Sequence, residues 1–428
     1  MKPIAVILFL FVITQISLSQ TVNVKFDNYF LNKTMRFDYY HVGDFNSHEI
    51  TFDEIIEEPF YGGSKKNLID PFDFGNYKFE IYDYKTNKLI YSRGYSTLFA
   101  EWLTTPEAKK VKRAFHETLT FPFPKDSIKL IIYERDSKNE FKKVFEYLID
   151  PNNPFIKKDD LKQYNALKFL DNGDPSVKVD IVVLPEGYTK DEMEKFKKDL
   201  EKFTNFLFNS SPYKENKSKF NIWAIEAPSE ESGTDIPRQN IWKNTILNST
   251  FFTFDTERYL MTEDYKTVRN VAANAPYDLI YIMVNTSKYG GGAIYNYYSV
   301  CPSDNDQMEY IIVHEFGHGF AGLGDEYYTS AVSYEEFYKS DIEPWEANLT
   351  TLVNFDKKWK NLIDKNTPIP TPAIDEFKDK VGVFEGGGYV PKGVYRPMFD
   401  CTMKSRSVNN FCVVCKETIQ KMIDFYTQ

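Results

Sequence analysis

The chain has 428 residues, with 52 basic and 62 acidic side chains and a formal net charge of −10. Its 42% hydrophobic and 17% aromatic residues, against only 20 Gly and 21 Pro, can fill large cores. That excludes wholesale disorder and fibrous repeats, and the acidic balance excludes a general affinity for nucleic acid or an anionic membrane surface. At roughly 100–200 residues per domain, the length predicts two or three domains.

The first twenty residues read as a cleavable export signal. Lys2 supplies a positive start, Ile4 to Ile13 form the apolar run, and Ser17 and Ser19 precede Gln20 at a small-residue cleavage site. A membrane-spanning helix needs about 20 apolar residues, and polar Thr14, Gln15 and Ser17 end this run too early. The expected division is a signal peptide at 1–19, a β domain at 20–155 and a catalytic domain at 156–428. Secreted or periplasmic release follows, with a monomer as the default.

From Thr21 to about Asp150 the pattern is one of short strands. Tyr77, Phe79 and Ile81 alternate with polar residues, Leu89-Ile90-Tyr91 follows a polar turn, Ile128, Leu130 and Ile132 repeat the alternation, and Phe141 to Leu148 comes next. These strands predict a β-sandwich-like module, interrupted by a helix near Pro106 to Ala114. His41, His48 and His116 lie here without metal-ligand spacing. Pro151 to Pro154 reads as a linker.

The pattern then becomes α/β. Val177 to Leu184 is an apolar strand of the doubly buried kind. Thr189 and Glu192 form a capping box, and Met193, Phe196, Leu200, Phe203 and Leu207 place one stripe of the following helix on a core. Phe220 to Ala227 completes a strand–helix–strand unit, and Asp278 to Val284 is a further strand. Gly290-Gly291-Gly292 leads into an expected edge strand, Tyr289 to Val300, against which an extended polypeptide can pair. Thr418 to Tyr426 forms a terminal helix.

The chemistry concentrates in Ile311 to Glu326, which reads IIVHEFGHGFAGLGDE. On a helix, His314 and His318 project from one face, a spacing suited to one zinc ion, and the intervening Glu315 can act as general base on a zinc-activated water. No histidine follows His318, so the third ligand is expected to be a carboxylate. Gly322 can turn the chain back to bring in Asp325. Neighbouring Glu326 and the more distant Glu335, Glu336 and Glu343 compete with it. Met403, beside Cys401 and Thr402, suits a methionine-bearing turn beneath the metal, though an isolated Met is ordinarily a core residue.

Tyr327 and Tyr328 are candidates for holding an oxyanion, and Gly291 and Gly292 for contacting substrate. In an exported chain, Cys401, Cys412 and Cys415 predict at least one disulfide, with connectivity open; a zinc site is the alternative. The cluster Glu226, Glu230, Glu231 and Asp235 admits structural calcium, but a solvated acidic loop is the plainer reading.

Together, LPEGYT (Leu184 to Thr189), FNIWAIEAPSEESGTD (Phe220 to Asp235), HEFGHGFAGLGDEYY (His314 to Tyr328) and CTM with FCVVC resemble the IgA peptidase family of secreted bacterial zinc metallopeptidases. Gly62 to Asp83 resembles the domain that precedes the peptidase in that family. The resemblance implies a metzincin-like peptidase domain and one zinc. By position it makes His314, His318 and Asp325 ligands, Glu315 the base and Met403 the Met-turn. Pro185 departs from the family pattern at a strand end. The family name reflects one substrate and does not imply that immunoglobulin is cut here. Two rival readings stand beside a peptidase: an adhesion protein with an inert zinc domain, and a zinc amidase acting on cell-wall peptides.

Overall fold

A computed structural model describes residues 24–158, 161–328 and 337–428. The signal-like segment, Glu335 and Glu336 lie outside the described residues.

The alternating stretches of the first third fold into two antiparallel sheets. A one-turn helix, α1 (Phe26–Tyr29), leads into β1 (Phe30–Gly43) and β2 (His48–Glu58). The module continues through β3 (Tyr77–Asp83), β4 (Leu89–Tyr95), helix α2 (Leu98–Leu103), β5 (Arg113–Pro124), β6 (Ile128–Arg135) and β7 (Phe141–Ile149). One sheet has the order β2-β1-β5 and the other β4-β3-β6-β7. Phe37, Phe79, Ile81, Phe121, Leu130 and Ile132 share one core, so the two sheets pack face to face.

The helix expected near Pro106 to Ala114 is not formed; residues 106–110 are turns, and Arg113 already begins β5. The helix lies earlier, at α2, where the Thr97 hydroxyl accepts from Ala100 N at 3.2 Å and caps the first turn. The expected linker is also tied down beyond Pro154. Lys157 N donates to Ile55 O at 2.9 Å, and Glu57 N donates to Lys157 O at 2.8 Å.

The second module is built on one mixed sheet. Its elements are β8 (Asn165–Leu170), β9 (Val179–Glu186), α3 (Met193–Leu207), β10 (Phe220–Glu226), α4 (Tyr265–Ala272), β11 (Leu279–Val284), β12 (Gly292–Ile294), β13 (Tyr298–Pro302) and α5 (Met308–Ala321). A hairpin, β14 (Phe384–Gly387) with β15 (Val390–Arg396), and the terminal helix α6 (Val413–Thr427) follow. The sheet order is β12-β13-β11-β9-β10-β8. The inner pairs are parallel, while β8 and β12 run antiparallel at the two edges. Both sides of the expected capping box form before α3, with Thr189 N donating to Glu192 Oε2 at 2.9 Å. The stretch Tyr289 to Val300 is a hairpin rather than one strand, because Asn296 (φ 52) reverses the chain between β12 and β13.

The alternation along β9 decides what covers each face. Val179, Ile181 and Val183 pack with Phe196, Leu200 and Phe203 of α3, with Ile312 and Phe316 of α5, and with Ile419 and Ile423 of α6. Val182 and Leu184 point the other way, into a core shared with Val268 of α4 and with Phe99, Trp102 and Phe115 of the β module. The first module therefore seals the second face of the sheet. Polar contacts reinforce this packing: Ser96 N donates to Tyr295 O at 2.9 Å, and Asn296 Nδ2 donates to Gly94 O at 2.7 Å. Lys266 also pairs with Asp53 at 2.9 Å.

Trp102 is fully buried in this shared core. Trp102→Ala is expected to cost about 3–5 kcal/mol and to lower the melting of both modules together, as read by calorimetry.

The predicted disulfide is not seen in this structure. Among the described residues, which include all four cysteines, Cys301, Cys401, Cys412 and Cys415 are free and buried. The sulfurs of Cys401 and Cys415 lie 3.9 Å apart, nearly twice the bonded distance of about 2.05 Å.

Candidate metal centre and cleft

Helix α5 is apolar enough to be buried along its length, with Ile311, Ile312, Val313, Phe316 and Phe320 all inside. It ends at Gly322, whose φ of 59° is left-handed. Gly322 N donates to His318 O at 3.0 Å and Leu323 N to Gly317 O at 3.2 Å, satisfying the last helical carbonyls. A Cβ on Gly322 would lie 2.8 Å from the Trp345 ring. Backbone sign and available space thus both demand glycine here.

This reversal carries Asp325 back over the two imidazoles. His314 Nε2 and His318 Nε2 are 3.1 Å apart. Asp325 Oδ1 lies 3.2 Å from the first and 3.3 Å from the second. A tetrahedral ion with bonds of about 2.0–2.1 Å sets its ligand atoms about 3.3–3.4 Å apart, so these separations fit one small metal ion. Asp325 Oδ1 is buried and faces only the two imidazole nitrogens, an arrangement that suits shared coordination of one ion.

The other ring nitrogens are turned away and held. His314 Nδ1 lies 3.1 Å from Thr402 O and 3.2 Å from Tyr310 Oη, while His318 Nδ1 meets Leu323 O. Donation to those carbonyls leaves both Nε2 atoms free to bind a metal. Met403 is buried directly beneath α5; a Cβ on Gly317 would sit 3.0 Å from its Sδ. Glu326 N donates to Met403 O at 2.8 Å, joining the Asp325 segment to that turn.

Burial opposes charge on His318, but the adjacent Asp325 carboxylate outweighs it and raises the imidazole to about 9. Burial would push Asp325 up, yet the two histidines hold it well below the usual carboxylate range. The His318 value lies above its unfolded value of about 6.5. Its contribution to the metal-free fold is therefore complete below pH about 6.5 and disappears as pH rises through about 9. In chelator-treated protein, the melting-temperature gap between wild type and His318→Gln is expected to close above pH 9. Metal affinity should rise over the same window, because binding must displace that proton.

Glu315 is partly buried beside this group. Burial pushes its carboxyl upward, against the opposing pull of His314 and His318. Gly291 comes close enough that a Cβ there would lie 3.2 Å from Glu315 Oε1. Gly291 and Gly292 both line the cleft, and Gly291 N is already donated to Arg258 O at 3.1 Å.

The two candidate tyrosines separate. Tyr327 faces the cleft, with its ring stacked 6.4 Å from that of His314, and its hydroxyl accepts from Arg258 Nη2 at 3.1 Å. Tyr328 packs against Gly386 and under Arg396, away from the imidazoles. Glu326 also turns away, accepting from Asn348 Nδ2 at 2.9 Å. Glu343 is engaged with Thr351 at 3.0 Å.

Several site residues gave no clear signal in the sequence. Tyr389 donates its hydroxyl to Asp325 Oδ2 at 2.7 Å. Its backbone N donates to Tyr327 O at 3.0 Å, and Gly388 N donates to Asp325 O at 2.8 Å, so the β14–β15 hairpin clamps the Asp325 segment. The triple glycine before Tyr389 was the one available hint. Asn76, Ser96 and Glu101 of the β module line the same cleft. Tyr389→Phe is expected to weaken metal binding about 10–100-fold, the usual effect of removing a residue that orients a ligand; competition with a chelating indicator measures it.

Residues 167–380 and 373–423 match the family model described as IgA Peptidase M64. Residues 25–146 match the model described as Peptidase M64 N-terminus. The chain belongs to the IgA peptidase M64 family. No curated protein matches it. Membership makes peptide-bond hydrolysis the activity class and protein the substrate class. The M64 match spans His314 to Asp325 and, in its second part, Met403.

The acidic residues weighed as a calcium site in this M64 chain are engaged with protein partners. Glu226 pairs with Lys197 at 2.9 Å, Glu230 with Asn244 at 2.5 Å, Glu231 with Lys243 at 3.6 Å, and Asp235 accepts from Lys243 N at 2.6 Å. Among the described residues, no helix is long and apolar enough to cross a membrane.

Proposed function

We propose that this M64 chain is an exported, zinc-dependent endopeptidase with a metzincin-like catalytic domain at 156–428 behind a β-sandwich domain at 20–155. The convergence of His314 Nε2, His318 Nε2 and the buried Asp325 Oδ1 within 3.1–3.3 Å carries this reading. His314, His318 and Asp325 are the ligands, and Met403 packs beneath them without binding. Zinc in that position supplies a Lewis acid for the scissile carbonyl and brings the pKa of water towards about 7.

Glu315 takes the proton of the attacking water and delivers it to the leaving amine. The upward push of burial on its carboxyl favours that second, acidic role. Tyr327, with Arg258 donating to its hydroxyl, faces the position where oxyanion charge develops. The substrate lies extended along β12, the edge strand, and gains affinity from main-chain hydrogen bonds. Residues 1–19 direct export.

Incubating the mature chain with casein and, separately, with cell-wall muropeptides tests the reading. Casein is expected to be cut internally and the muropeptides left whole. Cleavage of muropeptides alone would make it an amidase, and cleavage of neither would favour an inert binding domain.

A further inference from the structure

Directly behind the candidate metal centre, a second set of ligand-type atoms is gathered. Glu326, Cys401, Cys412 and Cys415 are all buried, and each offers one atom within 4.8 Å of the others. They arrive from three separate segments: the stretch after α5, the turn bearing Met403, and the start of α6.

Three observations favour an ion over packed thiols. The Cys401 and Cys415 sulfurs, 3.9 Å apart, match the edge of about 3.8 Å expected between two sulfurs bound tetrahedrally at about 2.3 Å to zinc. Glu326 is fully buried, with Oε1 3.5 Å from Cys415 Sγ and Oε2 without a hydrogen-bond partner. Burying a carboxylate oxygen in that state is costly unless it is coordinated. Finally, backbone amides point at two of the three sulfurs. Cys412 N reaches Cys401 Sγ at 3.2 Å, and Cys415 N reaches Cys412 Sγ at 3.5 Å, at the start of α6. A helix start favours thiolates, the ligand form of cysteine.

We propose that Glu326, Cys401, Cys412 and Cys415 form a second, closed and structural zinc site. Three sulfurs and one oxygen suit zinc among common divalent ions, and four protein ligands leave no position open for catalysis. Its placement gives it a purpose. Glu326 adjoins Asp325, and Cys401 adjoins Thr402, whose carbonyl faces His314. The ion would pin both supports of the candidate catalytic centre to α6.

X-ray absorption at the zinc edge, on the mature chain from a secreting host, tests this directly. The candidate catalytic ligands include no sulfur, so a sulfur shell at about 2.3 Å reports the second site alone. That shell is expected, as is retention of one zinc per chain in His314→Ala/His318→Ala and loss of the shell in Cys412→Ser/Cys415→Ser. A wild-type chain with no sulfur shell overturns the proposal. So does an intact mass short by two hydrogens, which means a disulfide, or a full complement of titratable thiols with no metal in the double-histidine variant. Those outcomes leave the peptidase reading standing, whereas loss of casein cleavage with the sulfur shell intact would count against that reading alone.

Discussion

Replacing Glu315 by glutamine is expected to reduce kcat/KM on casein-derived peptides by on the order of 10²–10⁴-fold while zinc stays bound. Gln fills the same space beside Gly291 but cannot accept the proton of water at neutral pH. The proposed ligand atoms of His314, His318 and Asp325 are untouched, so metal content separates this loss from collapse of the site. The helix itself should tolerate the change, since Glu and Gln have similar helix propensity. Equal loss of zinc and activity would instead make Glu315 a structural residue.

Asp325→Ala is expected to remove zinc from the centre and activity with it. The substitution deletes one of the three converging atoms, and it also strands the Tyr389 hydroxyl that donates to Oδ2 at 2.7 Å. Metal affinity should fall well beyond the 10–100-fold typical of a supporting residue. The variant should also return His318 towards the lower value that burial favours, because the neighbouring carboxylate is what raises it to about 9. NMR titration of the His318 ring in chelated protein reads that fall. An unchanged metal affinity would leave the third ligand to Glu335 or Glu336.

Much of the architecture was legible because it rests on local periodicity. The alternation at Tyr77 to Ile81 and Ile128 to Ile132 marked true strands, β3 and β6. The stripe from Met193 to Leu207 marked α3. The histidine pair and the Gly322 reversal could be read because helix geometry fixes both within one short segment. Misses occurred where long-range contacts decide.

The six residues of α2 are too short to show a period, and their apolar side chains belong to a core completed by β9, β11 and β13. The sharing of one cleft by Glu101 of the β module and His314 of the peptidase module has no signature in either segment alone. Tyr389 stands 64 positions from its partner Asp325, and only the pairing of the β14–β15 hairpin with that segment brings them together. The cysteines show the same limit: composition suggested a bridge, and only the meeting of three chain segments places Cys401, Cys412 and Cys415 together with Glu326.

One experiment tests the peptidase account most directly. Casein cleavage by the purified mature chain is followed before chelation, after full chelation and after zinc is returned, with Glu315→Gln in parallel. The account predicts that wild type cuts, stops when stripped and resumes with zinc, while Glu315→Gln stays inactive with its zinc in place. Cleavage that survives complete removal of the metal, or that persists at wild-type rate in Glu315→Gln, would contradict it.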